Sequence, residues 1–300
     1  MKEICVVHLV RAHNGTDPFA RFLKSYLQHP GGVGHDLLIV FKGFDTPESK
    51  DEYLQLLKPF RYIAFDVSDI GYDVTAYFSV VKQYAKDYRY FCFLNSFSVI
   101  QDHAWLSKLY HHIAQPNIGL VGATGSWQSL NPWGGILQRR KMRLNPRSTS
   151  GGTPLVLWGQ VYHVAISIWR LMTFPFFFST FPNYHLRTNV FMLRSELMNR
   201  LKIPTVNNKI AAYKFESGKV GLTKQALKMG NKVLIVGKDG IGYDLKFWDR
   251  SRTFWQSDQE NLLVADNQTR AYQDGTTEQR RYMTYMAWGC ENTKHLEGGA

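Results

Sequence analysis

Apolar residues in this chain fall in short continuous runs, and between the runs they recur at helical spacing. The first run, Ile4-Cys5-Val6-Val7-His8-Leu9-Val10, is followed by DLLIVF at 36–41, YIAFDV at 62–67, YFCFL at 90–94 and IGLVGA at 118–123. Short β-branched and aromatic runs bounded by polar turns read as strands buried on both faces. Asp17-Pro18 opens a helix with Phe19, Phe22, Leu23, Tyr26 and Leu27 on one side, and 48–57, 74–84 and 102–112 carry the same spacing. Repeated strand–helix units of this length predict right-handed crossovers and a mostly parallel sheet flanked by helices, an α/β fold.

Beyond residue 123 the pattern changes. The stretch 126–154 is rich in Gly, Pro, Asn, Ser and basic residues and predicts a long loop, while 155–178 reads as helical and then aromatic, ending Phe174-Pro175-Phe176-Phe177-Phe178. Regular structure resumes with a strand at 190–193, helices at 195–201 and 217–229, and a strand at 232–236. The polar remainder, with Trp248, Trp255 and Trp288 as anchors, is expected to wrap the sheet. The chain thus divides into a βα half (1–125), a basic and aromatic insertion (126–185) and a second half with its wrap (186–300), all within one compact domain.

The fourth run stops abruptly at Asn95-Ser96-Phe97-Ser98. In open α/β sheets the ligand crevice lies beyond the carboxyl ends of the strands, so these small polar residues mark the expected site. No GxGxxG follows the first strand and no GxxxxGK[ST] occurs anywhere, which argues against a dinucleotide-binding or P-loop enzyme. Cys5, Cys92 and Cys290 are scattered, which fits core residues in a reducing, cytoplasmic compartment better than a disulfide framework or a metal cluster. The chain enters a strand at once, so no signal peptide is expected. The run nearest to a membrane span, 155–178, is interrupted by Gln160, His163, Arg170 and Pro175.

Charge adds a second signal. The net charge is +12, and from 103 to 195 there is no Asp or Glu while Lys and Arg number nine. Such an interval is either a solvated basic face or a surface for an anionic partner: phospholipid, nucleic acid or a phosphorylated acceptor. The basic run 138–143 beside the 155–178 stretch would suit a peripheral position at the inner, cytoplasmic membrane face. A core helix, an oligomer interface or a DNA groove with stacking aromatics are the alternatives for that stretch.

The order of elements, the loop VVHLVRAHN, the turn Asp69-Ile70-Gly71-Tyr72-Asp73 and the strand YFCFLN together resemble the GT-A glycosyltransferases of the family-2-like type. The resemblance covers 1–125 well and 186–245 loosely, and rests on pattern and order. It implies a GT-A-like, Rossmann-like fold and transfer of a sugar from a nucleotide-sugar donor to a hydroxyl on a glycan, a lipid-linked glycan or a modified nucleic-acid base. A non-catalytic nucleotide- or glycan-binding module on the same fold, and a DNA-base-modifying transferase, are the rivals.

The resemblance also implies roles. Arg11 and the Phe41-Lys42-Gly43 turn would flank the base and ribose, Asp69 would face the nucleotide, and Asn95, Ser96 and Ser98 would line the diphosphate-sugar. Where the family carries an Asp-x-Asp pair for Mg2+ or Mn2+, this chain carries neutral oxygens, a poor site for a hard cation. Either Asp102 or His185 recruits the metal, or cations such as Arg187 and Lys214 clamp the leaving phosphate, or the site is inactive. Asp69 and Asp73 also fit plain turn-forming and capping carboxylates. An inverting transfer needs a general base. The acid-free interval and the family's layout nominate Glu216, placed at the start of a helix, with Asp239 and Asp244 in reserve. Its bland alternative is a favourable charge at a helix N-terminus.

Overall fold

A computed structural model describes residues 3–133, 169–203 and 206–289. The basic run 138–143, Arg147, the front of the 155–178 stretch, Cys290 and the tail 297–300 lie outside the described residues.

An eight-stranded sheet organises the chain. Its first half comprises β1 (Ile4–Arg11), α1 (Asp17–Gln28), β2 (Asp36–Lys42), α2 (Asp51–Leu57), β3 (Ile63–Val67), α3 (Asp73–Tyr84) and β4 (Tyr90–Leu94). Then come the short β5 (Val99–Ile100), α4 (Trp105–Ile113), β6 (Ile118–Gly122) and β7 (Gly125–Ser126). After the undescribed segment and a helical stretch at 169–177 follow β8 (His185–Leu186), β9 (Val190–Arg194), α5 (Ser195–Arg200), α6 (Lys209–Ser217) and α7 (Leu222–Lys228). The chain continues with β10 (Lys232–Val236), β11 (Gly242–Asp244), β12 (Val264–Ala265), α8 (Asn267–Gln273) and α9 (Thr277–Trp288).

The strand order is β11-β10-β6-β9-β4-β1-β2-β3. β3, β2, β1, β4, β6 and β10 run one way, while β9 is inserted antiparallel between β4 and β6 and β11 closes one edge antiparallel. The mostly parallel, helix-flanked sheet expected from the sequence is the architecture formed. β4 is buried along its whole length, as its unbroken apolar run requires. Because side chains alternate across a strand, Phe91 and Phe93 join a core layer with α3, α6 and α7. Tyr90, Cys92 and Leu94 join the other layer, with α1 and α4. Cys5 and Cys92 are free and buried, as core residues.

One expectation about the elements is corrected. The helix expected over 217–229 begins only at Leu222, and a separate helix, α6, ends at Ser217, because the chain breaks at Gly218-Lys219-Val220-Gly221. A Cβ at Gly218 would lie 2.3 Å from the Lys214 carbonyl oxygen, so only glycine lets the backbone turn there. The C-terminal wrap contains two regular helices, α8 and α9, each opened by a capping box, Asp266 with Thr269 and Thr276 with Gln279. Among the described residues no helix is long and apolar enough to cross a membrane.

Candidate active site

The parallel strands deliver three candidate residues to one end of the sheet. Arg11 and Lys42 are the last residues of β1 and β2, and Asp69 lies just past β3. The Arg11 guanidinium donates to Asp69 Oδ1 at 3.2 Å and stands 4.0 Å from Asp73. Lys42 is almost wholly buried, and its ammonium donates to the carbonyls of Ser68 (3.0 Å) and Ile70 (2.9 Å). Lys42 thus braces the turn that presents Asp69, and burial lowers its pKa against the pull of Asp69. Partial burial pushes the Asp69 carboxyl up, but the Arg11 hydrogen bond and the Lys42 charge outweigh it, so its pKa lies below the ordinary value. Gly43, at φ 74°, allows this approach, since a Cβ there would meet the Asp69 side chain at 3.0 Å.

The Asn95 turn is closed by its own side chains. Asn95 Oδ1 accepts from the Phe97 N–H (3.1 Å) and the Ser98 hydroxyl (3.0 Å), so its oxygen is spent within the turn. Ser98 is fully buried, and the buried Ser96 hydroxyl has no protein partner. Among the described residues no three His, Cys, Asp or Glu side chains cluster as a metal site requires. Asp102 is paired with Lys108, and His185 Nδ1–H donates to the Asn183 carbonyl at 2.8 Å. An engaged amide and two hydroxyls do not fit a hard divalent cation, which takes carboxylate oxygens. What reaches this turn is a cation: Arg270 of α8 donates to the Phe97 carbonyl at 3.2 Å. Burial, with Arg21 close by, lowers the Arg270 pKa from its ordinary value.

Beside the turn lies a cavity of about 340 Å3 lined by His185, Arg187, Glu216, Tyr213, Trp255 and Gln268, among others. The two places are joined through β9's leading residues. Asn95 N–H donates to the Asn189 carbonyl at 2.9 Å, and Asn189 Oδ1 accepts from the Thr124 hydroxyl at 2.7 Å. Next to Asn189, the Thr188 backbone N–H donates to the Glu216 carboxylate at 3.1 Å, and the Thr188 hydroxyl donates to the same oxygen. Glu216 sits in the last turn of α6, not at a helix start as the sequence suggested. The break at Gly218 is the reason, and a negative charge at a helix C-terminus opposes the macrodipole. The reading of Glu216 as an N-terminal helix stabiliser therefore falls.

The electrostatics of the cavity also differ from expectation. Arg187 lines it, but its guanidinium donates to Asp266 Oδ2 at 2.7 Å and lies 4.2 Å over the Phe254 ring. Its charge is compensated by the carboxylate that caps α8. His185 is neutral near pH 7: burial lowers its pKa, against the opposing pull of Glu216. Glu216 is left as the uncompensated charge among these groups.

The other candidates stand apart. Lys214 does not line the cavity; its ammonium lies 3.1 Å over the Phe177 ring. Asp239 accepts from Ile241 N–H, the Tyr243 hydroxyl and Asn261 Nδ2, which makes it the knot of the turn after β10. Asp244 ends the edge strand β11 and is exposed. Neither aspartate lines the cavity.

Sequence reading missed Asp266, Arg270 and the wall formed by Phe254 and Trp255. Those two rings stack at 4.4 Å, in a segment where Arg252, Trp255, Ser257 and Gln259 all have positive φ. Left-handed non-glycine residues each cost on the order of 1–3 kcal/mol and persist where surroundings over-determine them. Here buried Gln259 holds the segment, accepting from Trp255 N–H (3.1 Å) and donating to the Thr269 carbonyl (2.9 Å). The capping-box pattern Asp266-x-x-Thr269 was the available signal for α8; nothing in the sequence signals the backbone of 252–259.

No protein-family model and no curated protein matches the chain. Among solved structures it is similar to a mannosyltransferase from Pyrobaculum calidifontis in complex with GDP-Man and Mn2+ (12% identity, TM-score 0.44, 95% of this chain and 70% of the other). It is also similar to the mannosyltransferase Ktr4p of S. cerevisiae (11%, 0.38, 73% and 64%) and to mouse xyloside xylosyltransferase 1 (13%, 0.36, 75% and 79%).

Proposed function

We propose that this chain is a glycosyltransferase that moves a sugar from a nucleotide-sugar donor to an uncharged hydroxyl acceptor. The observation that carries the reading is the setting of Glu216. It stands at the helix end least favourable to a carboxylate, is fixed by two hydrogen bonds from Thr188, and faces a cavity whose other charges cancel. Breaking a local stability rule at a cavity wall is what a functional residue does.

Glu216 takes the proton of the acceptor hydroxyl, the freed oxygen bonds to the anomeric carbon, and the bond from that carbon to the diphosphate breaks with its electron pair on the phosphate. The nucleotide lies across the strand ends at Arg11 and Asp69, braced by Lys42, and the diphosphate-sugar reaches the Asn95 turn. Ser96 supplies an unspent hydroxyl there, and Arg270 stabilises the leaving charge in place of a metal. Arg187 orients the cavity wall through Asp266 rather than clamping phosphate. With Arg187 and Asp266 cancelling, the cavity suits a neutral ring laid against Trp255 better than DNA or a phosphorylated acceptor.

A screen of nucleoside-diphosphate sugars, with release of the diphosphate as readout, tests this reading. Turnover of at least one donor, increased by neutral sugars, is expected. Tight donor binding with no release would favour the non-catalytic module.

A further inference from the structure

The basic middle of the chain invites an anionic partner, yet its described cations are largely engaged. Lys108 pairs with Asp102, Arg187 pairs with Asp266, and Arg194 donates to the carbonyls of Ile113 and Gln115 at the end of α4. Arg170, on the helical stretch 169–177, is exposed, pairs with no carboxylate among the described residues and lies 5.9 Å over the Phe174 ring.

That stretch is apolar on two sides. Phe174 and Phe178 are buried against the body of the protein, while Trp169, Met172 and Phe176, at helical spacing, face outward with Met172 67% and Phe176 76% exposed. A helix with apolar residues on two sides belongs between two apolar surroundings, and among the described residues only one of them is present. Cations frame it. The Lys214 ammonium caps the Phe177 ring, and Lys219 donates to the Pro175 carbonyl at 2.8 Å. From 209 to 228 the sequence has five lysines and one acid, Glu216, whose carboxylate is held by Thr188.

We propose that this aromatic and basic face docks the protein on an anionic lipid bilayer, with Trp169, Met172 and Phe176 entering the interface and Arg170 and Lys219 meeting the headgroups. Aromatic and aliphatic side chains beside Lys and Arg are the composition of an interfacial helix. An apolar protein partner alone would not call for this ring of cations. The face lies beside α6, which carries Glu216 and Tyr213 into the cavity, so docking sets the cavity next to the membrane surface. The inference does not depend on catalysis.

Vesicle flotation of the full chain tests it, with vesicles of phosphatidylcholine alone and with about a third phosphatidylserine, each near 20 °C and at low and high salt. Binding to the phosphatidylserine vesicles that weakens with salt is expected. Met172→Ser/Phe176→Ser should reduce it at least tenfold, and Arg170→Gln or Lys219→Gln about fivefold each, with thermal melts unchanged because all four side chains lie outside the core. Three outcomes would overturn the proposal: no flotation with either lipid, flotation unaffected by Met172→Ser/Phe176→Ser, or a concentration-dependent dimer in sedimentation that this variant dissolves, which would assign the face to a second copy.

Discussion

Arg187 and Asp266 stand 79 positions apart in the sequence, yet Arg187 Nη2 donates to the fully buried Asp266 Oδ2 at 2.7 Å. The contact ties the link between β8 and β9 to the N-cap of α8 and so fixes the wall that carries Gln268 into the cavity. Removing one partner strands the other charge away from water, at a cost of about 3 kcal/mol. Asp266→Asn keeps a good N-cap and loses the ion pair. It should therefore lower the free energy of unfolding by about that amount in urea titration; a loss under about 1 kcal/mol would show that the pair contributes little.

His8 predicts a pH dependence. It is fully buried on β1 with neither ring nitrogen partnered, stacked 3.6 Å from Phe22, and burial lowers its pKa to about 3. In the unfolded chain an ordinary histidine binds its proton near pH 6.5. Between those values the unfolded state holds more protons, so this contribution to stability is fully present above pH 6.5 and is lost as pH falls toward 3. The slope approaches about 1.4 kcal/mol per pH unit. His8→Phe should remove this part of the acid sensitivity, seen as a flatter melting temperature between pH 6.5 and 4.

Much of this fold was legible because its central strands are buried on both faces. Uninterrupted runs such as YFCFL leave little ambiguity, and the polar stop at Asn95 marks the sheet's ligand end. The candidate site was less legible, because its decisive pairings are long-range. The sequence offers Arg187 as a free cation, and only the fold brings Asp266 to neutralise it. The acid-free interval together with the resemblance nominates Glu216, but the sequence pattern puts it at a helix start because the two glycines that end α6 and begin α7 fit one continuous helical pattern.

The Asn95 turn predicts an outcome for metal removal. With Asn95 Oδ1 engaged and Arg270 at the Phe97 carbonyl, donor affinity should be the same within about twofold in EDTA and in Mn2+, by calorimetry. Arg270→Gln should weaken donor binding or slow turnover by about tenfold or more, as loss of a charge-stabilising donor does. A tenfold gain in affinity on adding Mn2+ would show that a cation completes the turn instead.

Exposed Asp69 is expected to matter through Arg11. Asp69→Asn should loosen the Arg11 side chain and raise the KM for donor several-fold with a smaller effect on kcat, since the contact orients bound nucleotide rather than the reacting carbon. An unchanged KM with a collapsed kcat would move Asp69 from the nucleotide to the chemistry.

The central claim is that Glu216, held by Thr188, takes the acceptor's proton. The direct test is the rate of nucleoside-diphosphate release by wild type and Glu216→Gln, with a donor to which both bind. Glutamine keeps the size of the side chain and an oxygen for the Thr188 bonds but cannot act as the base. The account predicts unchanged donor affinity and a kcat lowered between about a hundred- and ten-thousandfold; a Glu216→Gln variant turning over at the wild-type rate would contradict it.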